Sequence, residues 1–180
     1  GKTMALFLAI LNRYLNQEQD EKLLKMIWIT PMRALASDTF QQLEDAIKLI
    51  APELILMQRT SDSTSYQKQK VKEKEWNILV TTPESFSLLS TYNSMLSALK
   101  KVNLIVIDEW HSLYGTKRGI LLELTMAWLK RYKNNVKRWA LSATLSDINL
   151  AKRYLINSEL VLRLLRHFSL LLQFEFHHLN

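Results

Sequence analysis

The sequence predicts an α/β fold built on a parallel sheet, and three observations predict it. Four short apolar runs read as strands covered on both faces. Helical patterns lie between them, and alternation of this kind makes a parallel sheet. Small hydroxyl or acidic residues follow each run, at the carboxyl ends of strands where open α/β sheets bind their ligands. The 180 residues suit one domain. A hydrophobic share of 48% against 23% charged residues is an ordinary globular mixture, which excludes disorder, collagen and coiled coil.

The elements are justified in chain order. Gly1-Lys2-Thr3 opens a helical pattern over Thr3–Leu15, with Leu6, Ala9, Ile10 and Leu11 on one side. Met26–Thr30 (MIWIT) is the first strand, and Thr30-Pro31-Met32-Arg33-Ala34-Leu35 starts the next helix. That helix, Arg33–Ile50, repeats its apolar positions at Leu35, Leu43, Ile47 and Ile50. Glu53–Gln58 is a weaker fifth strand, and Lys68–Glu75 (KQKVKEKE) reads as a solvated helix face. Asn77–Thr81 (NILVT) is a strand, and Thr81-Thr82-Pro83-Glu84-Ser85 places Pro83 near the first position of a helix. Asn103–Asp108 (NLIVID) follows, then a helix over Gly119–Tyr132 carrying Leu121, Leu122, Leu124, Met126 and Leu129. Lys130–Arg138 (KRYKNNVKR) holds five positive residues and no acid, and a surface turn is preferred there over a phosphate contact. Arg138–Ser142 (RWALS) is the last strand, and Ser146 caps a helix over Ser146–Leu155. Beyond Asn157 the pattern degrades. The leucine-rich residues 159–180 are either a closing helix with a frayed end or residues foreign to the fold.

The charge balance narrows the partners. Lys and Arg number 24 against 17 Asp and Glu, a net charge of +7 that favours a polyanion. The absence of cysteine excludes disulfides, thiol chemistry and cysteine zinc sites. No apolar run reaches the roughly 18 residues of a membrane span, and no signal peptide is visible. The expected setting is cytoplasmic. Only three glycines occur and the chain starts at Gly1, which reads as a piece whose natural beginning is missing.

Three motifs carry chemistry. Gly1-Lys2-Thr3 has the end of the G-x-x-x-x-G-K-[ST] loop, in which backbone N–H groups cradle phosphates, Lys reaches their oxygens and Thr ligates Mg²⁺. Asp108-Glu109-Trp110-His111 follows a buried strand directly. An acid at such a place is costly without a task. In a nucleotide hydrolase Asp108 would hold Mg²⁺, Glu109 would orient and deprotonate water, and His111 would touch the next motif. The third motif is Ser142-Ala143-Thr144, small residues able to relay hydrogen bonds between a nucleotide site and a neighbouring surface. The loops at Arg33 and at Thr81, Thr82 and Ser85 look like backbone-phosphate contacts, which position a strand without reading its sequence.

GKT, TPMRALASD, TTPES, DEWH and SAT, in this order and spacing, resemble motifs I, Ia, Ib, II and III of superfamily 2 helicases. DEWHSLYGTKRG followed by RWALSATL is similar to the large-helicase-related DEXH-box group, most closely the ligase-associated DNA helicases. The resemblance implies a RecA-like P-loop NTPase domain, the first motor half of an ATP-dependent 3′-to-5′ DNA helicase, over residues 1–156. It implies Mg-ATP as cofactor, with Gly1, Lys2 and Thr3 at the nucleotide and Thr3 and Asp108 at the metal. Asp108, Glu109 and His111 would form the catalytic box, with Ser142, Ala143 and Thr144 as coupling residues. Arg33, Thr81, Thr82, Ser85, Lys117 and Arg118 would contact DNA, single-stranded or at a duplex junction. A DNA ligase and a nuclease would be partners in repair, in a bacterial, nucleoid-associated setting.

The sequence departs from that pattern in places. The glycines before Gly1 and the adenine-recognition segment are missing, as is the second motor domain with its arginine fingers, worth about 10³–10⁵ in rate in related phosphoryl transfer. Arg59-Thr60-Ser61-Asp62 has Ser61 where the family shows glycine, which would be strained if φ there were positive. The alternative is a catalytically silent truncated product, or a nucleic-acid-binding module without ATPase activity. A small P-loop kinase would leave the SAT and TTPES loops unexplained.

Overall fold

The computed structural model describes residues 1–17, 24–73, 75–133 and 135–142. Helix α1 (Lys2–Leu15) precedes β1 (Met26–Ile29), α2 (Arg33–Ile50), β2 (Leu56–Arg59), α3 (Ser65–Glu73), β3 (Ile78–Thr81), α4 (Pro83–Ser90), α5 (Leu96–Lys100), β4 (Leu104–Ile107), α6 (Lys117–Lys130) and β5 (Lys137–Ala140). Short 3₁₀ turns at Asn93–Met95 and Trp110–Ser112 complete the order.

The five strands form one sheet in the order β2-β3-β1-β4-β5, and every pairing is parallel. The register puts Arg59, Thr81, Ile29, Ile107 and Ala140 in one row across it. All five strands therefore end at the same level, and the loops that follow them share one rim. β1, β3 and β4 are buried at every position, as strands covered on both faces must be. α1 packs beside α2 and α4 beside α6. Phe7 of α1 meets Trp28 of β1 edge to face, with ring centroids 6.2 Å apart.

Local chemistry sets the boundaries. α1 buries Leu6, Phe7, Ile10 and Leu11 and stops at Asn16, whose side-chain amide donates to the Asn12 carbonyl at 2.8 Å. α2 ends at Ala51, the residue before Pro52, where the helical conformation is disfavoured. Pro83 takes the first position of α4. Thr116 caps α6, its hydroxyl accepting from the Gly119 N–H at 3.1 Å.

The four strong strands and the helices over Thr3–Leu15, Arg33–Ile50 and Gly119–Tyr132 stand where the sequence puts them, within three residues. The weak fifth strand is real but lies at Leu56–Arg59, three residues on from Glu53. α5 and the length of α4 carried no clear periodicity, because each is only a turn or two long. The helix expected at Ser146–Leu155, the division near residue 156 and the tail lie outside the described residues. Glu109 is the only non-glycine residue with positive φ among the described residues. Ser61 thus sits in ordinary backbone, and the strain expected of a serine there is absent.

Candidate functional site

The shared rim brings together Thr3, Asp108, Glu109, His111 and Ser142 of the residues that the sequence singled out. Helix α1 starts there with no acidic residue and no side-chain cap in its first turn, so the amides of Lys2 and Thr3 face outward unsatisfied by side chains. Such a terminus attracts anions. The Thr3 hydroxyl donates to Asp108 Oδ2 at 3.3 Å, closing a separation of 105 residues. Lys2 is exposed beside it.

Asp108 is 3% exposed. Burial pushes its carboxyl up from the ordinary range, and the Glu109 charge adds to this, while hydrogen bonds from the Glu109 backbone, Trp28 and Thr3 oppose it. The Glu109 N–H donates to Oδ1 at 2.9 Å. No Lys or Arg pairs with Asp108 among the described residues. A buried carboxylate and a hydroxyl, both hard oxygen donors, suit Mg²⁺, which takes one or two protein oxygens and completes its shell with phosphate and water. The described residues hold no cluster of three or more His, Cys, Asp or Glu able to cage a metal by themselves.

Glu109 adopts φ 46°, ψ 46°. A left-handed conformation costs a non-glycine residue about 1 kcal/mol or more, and such strain gathers at functional sites. Several contacts over-determine it. Its carbonyl accepts from the Ser112 N–H and hydroxyl at 2.9 and 2.8 Å, and the next residue, Trp110, is fully buried and donates its N–H to the Leu141 carbonyl at 2.8 Å. His111 Nδ1 lies 3.2 Å from Glu109 Oε2 and 3.2 Å from Ser142 Oγ. One nitrogen thus joins the acidic loop after β4 to the serine after β5. Ala143 and Thr144 lie outside the described residues.

The other predicted residues divide by exposure. Arg33 opens α2, is exposed, and pairs with Asp62. Thr81, Thr82 and Ser85 are buried. The Thr81 hydroxyl donates to the Arg59 carbonyl at 2.7 Å, so that side chain ties β3 to β2. Arg118 grips both oxygens of Glu84, linking the start of α6 to the start of α4; this pairing holds the Glu84 carboxyl below its ordinary range. Lys117 is exposed. Sequence reasoning missed Asp62 and Glu84 as partners of these cations. It also missed Gly119: a Cβ there would stand 2.2 Å from the Leu113 carbonyl oxygen. The bare GTKRG string was the available signal for that close approach.

A parallel sheet with a helix-opening GKT set against a buried acid at the strand ends defines a RecA-like P-loop NTPase domain. Residues 1–152 match the DEAD/DEAH box helicase family, and the chain belongs to it, as a superfamily 2 helicase domain related to Lhr. It is 36% identical over 169 residues to the ATP-dependent helicase Lhr-Core of Sulfolobus acidocaldarius, covering 87% of this chain and 19% of that protein. It is 32% identical over 162 residues to the Lhr helicase/uracil glycosylase of Escherichia coli, covering 80% of this chain and 10% of that one. Among solved structures it is similar to Mycobacterium smegmatis helicase Lhr bound to ssDNA and AMP-PNP, with TM-score 0.71 and 27% identity over 85% of this chain and 21% of that chain. The helicase MrfA bound to DNA and AMPPNP shares the fold, with TM-score 0.67 and 20% identity over 78% of this chain and 20% of that chain. The chain spans about a fifth of the length of the Lhr-Core relatives it matches. No helix among the described residues is long and apolar enough to cross a membrane.

Proposed function

We propose that residues 1–156 form the first motor half of an ATP-dependent DNA helicase that translocates on and unwinds DNA once a second motor domain joins it. One observation carries the reading. The Thr3 hydroxyl on buried Asp108 sets the helix-opening GKT against the acidic box. When bound, Mg-ATP supplies the phosphoryl group that is transferred and the cation that offsets its charge.

The chain's own residues take the following roles. The first-turn amides of α1 and the Lys2 ammonium hold phosphate oxygens. Thr3 Oγ1 and Asp108 Oδ2 ligate Mg²⁺, which relieves the burial of Asp108. Glu109, turned by its left-handed backbone, orients water and takes its proton on a carboxylate oxygen. His111 steadies that carboxylate through Nδ1 and, by sharing the same nitrogen with Ser142, couples it to the SAT loop. Ala143 and Thr144 belong to that coupling by resemblance.

DNA is the track, in line with the strand bound to the Mycobacterium smegmatis relative. Arg33 and Lys117 supply exposed charge. The buried Thr81, Thr82 and Ser85 act through the backbone at the start of α4, and Arg118 positions that loop through Glu84. A DNA ligase and a nuclease as partners, at a bacterial nucleoid, rest on the resemblance to ligase-associated helicases.

The test is Glu109→Gln in the full-length protein. Hydrolysis should fall by about a thousandfold or more while ATP binding stays within about twofold. Equal loss of binding would make Glu109 structural. Absence of hydrolysis in the unaltered protein would leave a nucleic-acid-binding module without ATPase activity.

A further inference from the structure

Arg59 closes β2 and is 3% exposed, yet no carboxylate pairs with it among the described residues. Its Nη1 is buried without a hydrogen-bond partner. A guanidinium keeps its proton in proteins and carries five N–H donors, so burial is not relieved by neutralisation. A buried charge is costly unless it is paired. The surface cations Arg33, Lys101 and Arg118 each have a carboxylate, at Asp62, Glu75 and Glu84. The deeply buried one has none.

Alternation along the strand decides where this charge lies. Gln58 donates to Ser37 Oγ of α2 at 3.2 Å, so Arg59 turns to the opposite face of the sheet. There its guanidinium carbon stands 5.5 Å from the Tyr92 ring centroid, and Lys72 Nζ stands 3.6 Å from the same centroid. Lys72 lies in the last turn of α3, and Tyr92 follows α4. The Arg59 guanidinium first, and the Lys72 ammonium after it, hold the Tyr92 phenol below its ordinary value against the effect of burial. Ordinary explanations cover part of this. A helix C-terminus favours a cation, which accounts for Lys72. It does not account for Arg59, which comes from a strand. A ring face attracts both cations, but a charged acceptor is the stronger partner for their N–H groups.

We propose that Arg59, Lys72 and Tyr92 form a binding site for a small tetrahedral oxyanion, phosphate or sulfate. Lys72 is half-buried and Tyr92 partly buried, so both reach the surface. Their ammonium and hydroxyl groups donate to the anion, and Arg59 Nη1 is the spare third donor. The anion completes a site that holds two positive charges and no acid. α4 starts at the rim and runs eight residues, about 12 Å, before Tyr92 is reached. The site therefore stands apart from the rim, and it rests on neither the nucleotide nor the DNA contacts proposed there.

The test is an ultraviolet titration of the tyrosines of the full chain in inorganic phosphate, against chloride at matched ionic strength. Subtracting the same titration of Tyr92→Phe isolates this phenol from the others. Phosphate should make Tyr92 about tenfold harder to ionise, because the anion offsets the cations that favour the phenolate. Lys72→Gln should raise the phosphate concentration needed by about tenfold, through loss of one charge-assisted hydrogen bond. Arg59→Gln removes the buried charge and should abolish the response. If Arg59→Gln fails to fold by circular dichroism, Lys72→Gln reads the same site. Absence of a phosphate response in the folded parent overturns the proposal, as does a response that Lys72→Gln leaves undiminished. A response to single-stranded DNA equal to that of phosphate also overturns it, since the cations would then belong to the DNA contacts.

Discussion

Two buried charges stand at opposite ends of the sheet, and they are handled differently. Lys25, just before β1, is 5% exposed. Its ammonium donates to the Trp76 carbonyl and lies 4.1 Å from the Trp76 ring centroid, and its own N–H is taken by Asn103 Oδ1 at 3.1 Å. Asp108, just after β4, is as deeply buried, and its hydrogen bonds come from a hydroxyl, a backbone amide and the Trp28 indole, none of them charged. A charge clamped by a carbonyl, a ring face and the field of Glu75 is part of the architecture. Asp108 has no cationic side chain paired with it among the described residues, which is what the proposed Mg²⁺ site requires. Burial alone does not separate structural from functional charges; the partner inventory does.

The largest expected effect is at the structural charge. Lys25→Ala should cost about 2 kcal/mol of stability in denaturant titration, because the Trp76 carbonyl loses its donor and the aliphatic stem leaves a void. Lys25→Met keeps the stem and should cost about half as much. Burial depresses the Lys25 ammonium, with Glu75 opposing and Lys101 assisting. The unfolded chain therefore binds this proton more readily. The Lys25 contribution to stability should rise with pH between the folded pKa and the unfolded value near 10.4. An absence of pH dependence there in the difference between the chain and Lys25→Met would show that the ammonium is not desolvated.

Asp108 should respond in the opposite sense. The folded pKa of Asp108 is raised above the unfolded value of about 3.9. Its favourable contribution is complete below that value and is lost as pH rises through the folded pKa. Asp108→Asn removes the loss. It should stabilise the nucleotide-free protein by about 1 kcal/mol at pH 7 and by nothing below about pH 4, while abolishing stabilisation by Mg-ATP. A variant less stable than the parent at pH 7 would mean that Asp108, like Lys25, is held for structure.

The same contrast explains what the sequence made legible. The strands Met26–Thr30 and Asn103–Asp108 announce themselves because burial on both faces leaves continuous apolar runs. β2 nearly escaped because Gln58 and Arg59 interrupt its apolar run. The site was visible as a set of strand-end motifs, since parallel strands of equal length bring their ends into one row. Its internal wiring was not. That Arg33 is held by Asp62 and Arg118 by Glu84 depends on which loops meet in space, 29 and 34 residues apart. That Lys133, in the run KRYKNNVKR, reaches the Lys101 carbonyl shows only once the ends of α5 and α6 are packed together.

The smallest effect probes the backbone beneath the acidic box. Glu109 is left-handed with its side chain held at His111, and nothing in its residue type favours that conformation. Glycine adopts it freely. Glu109→Gly should therefore stabilise the fold by about 1 kcal/mol, even though glycine adds flexibility to the unfolded chain. Glu109→Gln keeps the side-chain bulk and should shift stability by less than about 0.5 kcal/mol. Both variants should lose hydrolysis. The two together separate strain from chemistry, because the first relieves the backbone and the second only removes the base. If Glu109→Gly destabilises the protein, the left-handed turn is not strained, and the His111 contact contributes more to the fold than the backbone costs.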